Sequence, residues 1–211
     1  MTAGAILLLL TGCFGPKPEE ELYVIFENAA KQEKGMFKSA AQLEKIETEN
    51  KELYNKILQD GKEDNQTVQS IIDKAVQGVN DRKKIVDDER DMLKKAQQEM
   101  KESKEYIKDL QEAGMKAQAK KVVNLYKERY ETFEEMHAAY KKALVSEKEL
   151  YHMLQAKEEK LKTISDKVKE VNKLYENVGV KNEKFNQYTE QYNQEKVAFY
   201  KQADFKIEAK K

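Results

Sequence analysis

The chain has 211 residues, and its 39 basic and 39 acidic side chains cancel to a formal net charge of zero. That balance excludes the basic face of an ordinary nucleic-acid binder and gives no bulk attraction to anionic polymers. A single cysteine, Cys13, excludes an intrachain disulfide, and eight glycines, two prolines and no tryptophan leave little room for a sheet-and-turn architecture.

In chain order, the first feature is an apolar run from Ala3 to Leu10. It is too short to cross a bilayer, which takes about 20 residues, but it suits the apolar stretch of a secretory signal. Leu10-Thr11-Gly12-Cys13 follows and resembles a bacterial lipobox, in which the cysteine is acylated and the chain is cut just before it. The small residues leave an extended, uncrowded backbone for the peptidase. Residues 1–12 are therefore expected to be a signal peptide and Cys13 a lipidated N-terminus. Met1 to Gly12 contains no Lys or Arg for a basic leader, so the true start is expected upstream. Both prolines, Pro16 and Pro18, fall in residues 13–18, which read as a short tether. Two acyl chains suffice for stable anchoring.

Residues 19–211 read as one elongated, all-α domain. Pro18 followed by Glu19-Glu20-Glu21 is a helix start, because proline suits the first turn and carboxylates suit the positive end of the helix dipole. Three glycine-containing marks, Asp60-Gly61, Ala113-Gly114 and Asn177-Val178-Gly179, are expected to close helices in left-handed caps. They divide the chain into helices over about 19–59, 66–112, 116–177 and 181–208, with Gly35 as a candidate bend in the first.

The second helix carries the clearest seam: Ile72, Val79, Val86, Leu93, Met100 and Ile107 recur every seven residues. Val68, Ala75, Ala96 and Leu110 hold the partner positions, interrupted by Arg82, Glu89 and Ser103. Asn50 breaks the corresponding pattern in the first helix, and Glu147 breaks it in the third. Heptad seams joined by short connections predict an antiparallel up-and-down helical bundle with coiled-coil-like packing. Because the third helix is the longest, one end of the bundle is expected to be only two helices thick.

No catalytic template is present: there is no glycine-rich phosphate loop, no Gly-x-Ser-x-Gly elbow and no His-Glu-x-x-His pair. A non-enzymatic role without cofactor or metal is expected. Glu-x-x-His occurs at Glu134–His137 and again at Glu149–His152, but both copies lie on one helix. Their separation of about 22 Å along the axis prevents a shared metal pair. Asp87, Asp88, Glu89 and Asp91 read as a solvated acidic face with lysine partners such as Lys83 and Lys84.

The remaining signal is aromatic. Tyr126, Tyr130, Phe133, Tyr140 and Tyr151 line the third helix, and Phe185, Tyr188, Tyr192, Phe199 and Tyr200 crowd the fourth. Most suit a bulky seam. Tyr188, Tyr192 and Tyr200 are the candidates to face a ligand, because tyrosine rings can stack on sugars and hydrogen-bond at their tips.

With its lipobox, Lys/Glu-rich helices and aromatic third and fourth helices, the chain from Cys13 to Lys211 resembles the YkyA-type family of cell-wall-binding lipoproteins of low-GC Gram-positive bacteria. The resemblance implies a helical bundle lipid-anchored on the outer face of the cytoplasmic membrane. It implies a cell-wall polymer or a wall-associated protein as partner, and no nucleic acid. A protein–protein scaffold that presents an exposed helical face is the alternative.

Overall fold

A computed structural model of the chain describes residues 16–60, 65–156 and 160–205. The signal segment, Leu10, Thr11, Gly12, Cys13 and Gly61 lie outside the described residues. Among the described residues there are five helices and no strand: α1 (Pro18–Gln32), α2 (Met36–Asp60), α3 (Asn65–Asp109), α4 (Ala113–Gln155) and α5 (Leu161–Gln202). No described helix is long and apolar enough to cross a membrane.

The first helix starts where its sequence requires. Pro18 sits in the first turn, and the Glu20 carboxylate accepts a hydrogen bond from the Lys17 backbone N–H at 3.4 Å. The helix stops at Glu33, and the chain turns over Glu33–Gly35 before α2 begins. The expected bend at Gly35 is therefore a true interruption. It turns the Glu33 side chain inward, where it is used as described below.

The glycine caps expected at Gly114 and Gly179 do not occur, and the one at Gly61 lies outside the described residues. No described glycine has a positive φ, and Gly114 and Gly179 lie inside α4 and α5. The last connection falls at residues 156–160, some twenty residues before the expected one. Packing explains the shift. α1 and α2 together span Pro18–Asp60, and α3, α4 and α5 have 45, 43 and 42 residues. Four arms of nearly equal length bury their apolar stripes along the whole rod. A single helix over 116–177 would carry its final third past the end of its neighbours. The turn therefore falls in a stretch with no local helix breaker, and helix propensity yields to burial. For the same reason the bundle has no two-helix end.

The seam expected on α3 is the observed core: Ile72, Val79, Val86, Leu93, Met100 and Ile107 are all buried. On α5 an unbroken set, Val171, Val178, Phe185, Tyr192 and Phe199, recurs every seven residues and runs straight past Gly179. α4 is the hub. Its backbone packs closely against α3 and α5, while α1 and α2 pack against α3. The end nearest the N-terminus is closed on all sides. There α1 meets α5 through Phe26 and Phe199, edge to face at 5.6 Å, and through Tyr23 and Tyr200 at 4.8 Å. Further along, cavities open between α2 and α5. That open seam is the main concave feature of the rod.

Gly179 tests the helix boundary directly. A Cβ added there meets nothing within 4 Å, and the backbone is helical. Gly179→Ala is expected to raise stability by about 0.5–1 kcal/mol in urea unfolding. A left-handed cap at this position would instead make the substitution destabilising.

Candidate functional site

The open seam is a groove with α2 and α5 as walls and α4 as floor. Two adjacent cavities lie in it, of about 660 Å³ nearer the closed end and about 470 Å³ beyond, sharing Glu47 and Tyr175. Both are large enough for a small ligand or a segment of a polymer.

Beneath the outer cavity lies a buried polar cluster drawn from all four arms. Arg82 of α3 donates to Glu147 Oε1 of α4 at 2.6 Å and to the Tyr175 hydroxyl of α5 at 3.0 Å. Tyr175 in turn donates to Glu147 Oε2. Asn50 of α2 donates to the Ala75 carbonyl at 3.0 Å and to Glu147 at 3.4 Å. A Cβ added at Gly78 would lie 2.0 Å from Asn50 Oδ1, so the side chain fits there only because position 78 is bare. Burial opposes the charge on Arg82, but the Glu147 carboxylate outweighs it and raises the guanidinium pKa further. One donor is left over: the buried Arg82 Nε has no partner among the described residues.

A second buried pair closes the near end of the groove. Arg129 of α4 grips Glu33 with two parallel hydrogen bonds of 2.7 Å, and Tyr126 adds a third at 2.6 Å. The guanidinium also lies 4.9 Å from the Phe185 ring centre. The hydroxyls of Tyr126, Tyr140, Tyr151 and Tyr175 are pushed to higher pKa, first by burial and then by carboxylates beside them, so they remain O–H donors.

The acidic face read from the sequence divides in two. Asp87 turns to α4 and meets His137 at 2.8 Å as well as Lys83 at 2.7 Å. Burial works against its charge, but the Lys83 and His137 hydrogen bonds hold its carboxyl down to about 2. Glu89 points inward instead. It is 6% exposed, lines the larger cavity, and is pushed up to about 7 by burial. Of the two Glu-x-x-His pairs, Glu134 is tied to Arg90 and His137 to Asp87, while His152 is exposed.

The three tyrosines expected to face a ligand do not act together. Tyr192 and Tyr200 are core residues, each 5% exposed. Tyr192 packs edge to face on Tyr126 at 5.1 Å, and Tyr200 donates to Glu27 at 2.8 Å. They belong to the closed end, where α1 covers them. Tyr188 is half-buried with the Lys184 ammonium 5.8 Å from its ring centre, and it lines neither groove cavity. The rings that do line the groove are Phe37, Tyr54, Phe133, Tyr140, Tyr151, Tyr175 and Phe185. Together with Asn50, Asn172, Glu44 and Glu47 they offer aromatic faces, hydroxyl and amide donors, and carboxylate acceptors. Such walls suit a ligand with apolar faces and many hydrogen-bonding groups. One signal for the polar floor is visible in the heptads: Asn50, Arg82 and Glu147 each interrupt one on a different arm.

The family model for YkyA, described as "Putative cell-wall binding lipoprotein", matches residues 17–202. An uncharacterized lipoprotein YkyA of Bacillus subtilis (strain 168) is 29% identical over 203 residues, covering 96% of this chain and 91% of the relative. A 1.6 Å crystal structure of a conserved protein of unknown function from Staphylococcus aureus superposes with a TM-score of 0.76 at 18% identity. It covers 86% of this chain and 93% of that one, and it shares the fold.

Two outcomes test the buried charges. Glu147→Ala leaves Arg82 charged and unpaired, and is expected to cost about 3–5 kcal/mol in denaturant unfolding; Arg82→Leu with Glu147→Leu should restore most of it. Glu89 behaves in the opposite sense. Its folded pKa of about 7 lies above the ordinary 4.5, so its stabilising effect is complete below about pH 4.5 and lost as pH rises through 7. Glu89→Gln should therefore exceed the parent by about 3 kcal/mol at pH ~8 and match it at pH ~4, read from thermal unfolding at both values.

Proposed function

The chain belongs to the YkyA family, and on that footing we propose that it is a non-enzymatic envelope tether whose α2–α5 groove holds a cell-wall polymer. A lipoprotein family implies a membrane-associated chain. Acylation at Cys13, within Leu10-Thr11-Gly12-Cys13, would supply the anchor and set the rod on the outer face of the cytoplasmic membrane.

The observation that carries the reading is the polarity of the rod. The end nearest the N-terminus is sealed by aromatic packing, and the groove begins at Glu33 and runs away from it. Glu33 lies 15 residues beyond Pro18, or about 22 Å along the axis. A chain anchored at Cys13 would thus hold its concave surface clear of the lipid headgroups. Aromatic and amide-bearing walls suit a glycan with its attached peptides, in which sugar faces stack on rings and hydroxyls or amides pair with side chains.

A second reading, a scaffold for a protein partner, is favoured by one observation. Phe37 stands 88% exposed at the groove rim, with Val180 66% exposed on α5. An exposed ring beside a concave surface suits a helical partner.

The test is sedimentation of the chain from Cys13 onward, carrying Cys13→Ser, with purified peptidoglycan stripped of its anionic polymers. Saturable binding that persists in high salt is expected, and Tyr54→Ala with Asn172→Ala, both lining the outer cavity, should weaken it about tenfold. No binding, or binding abolished by modest salt, would transfer the role to a protein partner.

A further inference from the structure

Among the described residues, buried charges come in pairs, with one exception. Arg82 is matched by Glu147, and Arg129 by Glu33. Glu89 has no hydrogen-bond or ion-pair partner among the described residues, although it is 94% buried and lies one helical turn from Leu93. Leu93 packs on Phe133 and Phe185, and both rings line the same 660 Å³ cavity as Glu89. An unpartnered buried carboxylate is costly, and a native structure that keeps one calls for a reason.

The charges around the cavity point one way. Glu33 lies at the α1–α2 bend, and Glu44 and Glu47 come from α2. The cations facing them are already engaged, since both Arg129 terminal nitrogens are held by Glu33 and His137 is held by Asp87. An anionic ligand would find no unengaged cation here. A cation would find Glu89 below it, Glu44 and Glu47 on one wall, and the rings of Phe133, Tyr140, Tyr175 and Phe185 around it. Aromatic faces attract cations most strongly when water is excluded.

We propose that this cavity binds a primary ammonium group on an apolar stem, with Glu89 as its counter-ion. The ammonium would take the place of the proton that burial keeps on Glu89 near neutral pH. The site rests on the wall-binding reading only for the natural source of the amine. Two sources in a wall carry this chemistry, namely free side-chain amines of its peptides and aminoacyl esters of its anionic polymers.

The site is tested with a small probe: Nα-acetyl-lysine N-methylamide titrated into the isotope-labelled chain from Cys13 onward, carrying Cys13→Ser, and followed by amide NMR at mildly alkaline pH. Saturable shifts at Glu89 and Phe133 are expected, weakened about tenfold or more when the probe is Nε-acetylated and equally by Glu89→Gln. Glu49→Gln, on the exposed face of α2, should leave the titration unchanged. Equal binding of both probes, full binding by Glu89→Gln, or no saturable shift would overturn the site. Sedimentation then separates it from the wall reading. If wall material sediments the chain regardless of amine acetylation and of Glu89→Gln, the wall reading stands and the site is overturned. If the probe binds and no wall fraction does, the site stands and the wall reading falls. Loss of sedimentation on acetylating polymer-stripped peptidoglycan assigns the amine to the peptides; loss only on removing aminoacyl esters assigns it to the polymers.

Discussion

One ion pair, Arg82 with Glu147, ties the four arms of the rod together. It lies at a level where each arm contributes a polar group: Asn50 from α2, Arg82 from α3, Glu147 from α4 and Tyr175 from α5. An apolar seam alone tolerates sliding by a heptad, because leucine and valine fit many registers equally well. A guanidinium whose partners sit on two other helices, one of them also held by Asn50 of α2, does not, since any slip leaves charge buried and alone. The cluster therefore fixes the vertical register of the bundle. It also sets the floor of the groove above it.

Arginine is used sparingly and in one way. The chain has only three, and each reaches across to another element: Arg82 to Glu147, Arg90 to Glu134 and Arg129 to Glu33. Lysines make up the rest of the positive charge and mostly stay on the surface. Their pairs, such as Lys45 with Glu49 and Lys127 with Glu131, are exposed and contribute little. The planar guanidinium suits inter-helical pairing because it holds two oxygens of one carboxylate at once, as Arg129 does with Glu33. The formal neutrality of the chain thus hides two populations, a few buried pairs that specify structure and many solvated ones that keep the rod soluble.

Much of the fold was legible, and the reasons for the errors are physical. The α3 seam could be read residue by residue, because a helix buried along one stripe repeats every seven positions. The start at Pro18 and the interruption at Gly35 could also be read, since both depend on local chemistry. The α4–α5 turn could not, because no residue between Ala156 and Lys160 breaks a helix; the length of the neighbouring arms decides it. The better signal was the series Val171, Val178, Phe185, Tyr192 and Phe199, which crosses Gly179 without a change of phase and so marks one helix. The groove was hidden for a similar reason. Asn50, Arg82, Glu89 and Glu147 were visible as flaws in separate seams, but their meeting depends on registers between helices. Tyr192 and Tyr200 were misjudged because a ring suited to stacking on sugar is equally suited to stacking on phenylalanine.

The bend between α1 and α2 has a mechanical consequence. A pull on the N-terminus enters the rod through α1, which is 15 residues long, and meets the bend at Glu33 to Gly35. Force along the axis loads the α1–α3 contact in shear, so Leu22, Ile25, Phe26 and Ala29 resist together and cannot unzip one by one. Beyond them the load passes to Glu33, whose carboxylate is strapped to α4 by Arg129 and Tyr126. Tension at one end of the molecule is thereby handed to α4 before it reaches α2. The walls of the groove, which need to keep their spacing, stand outside the path of the load.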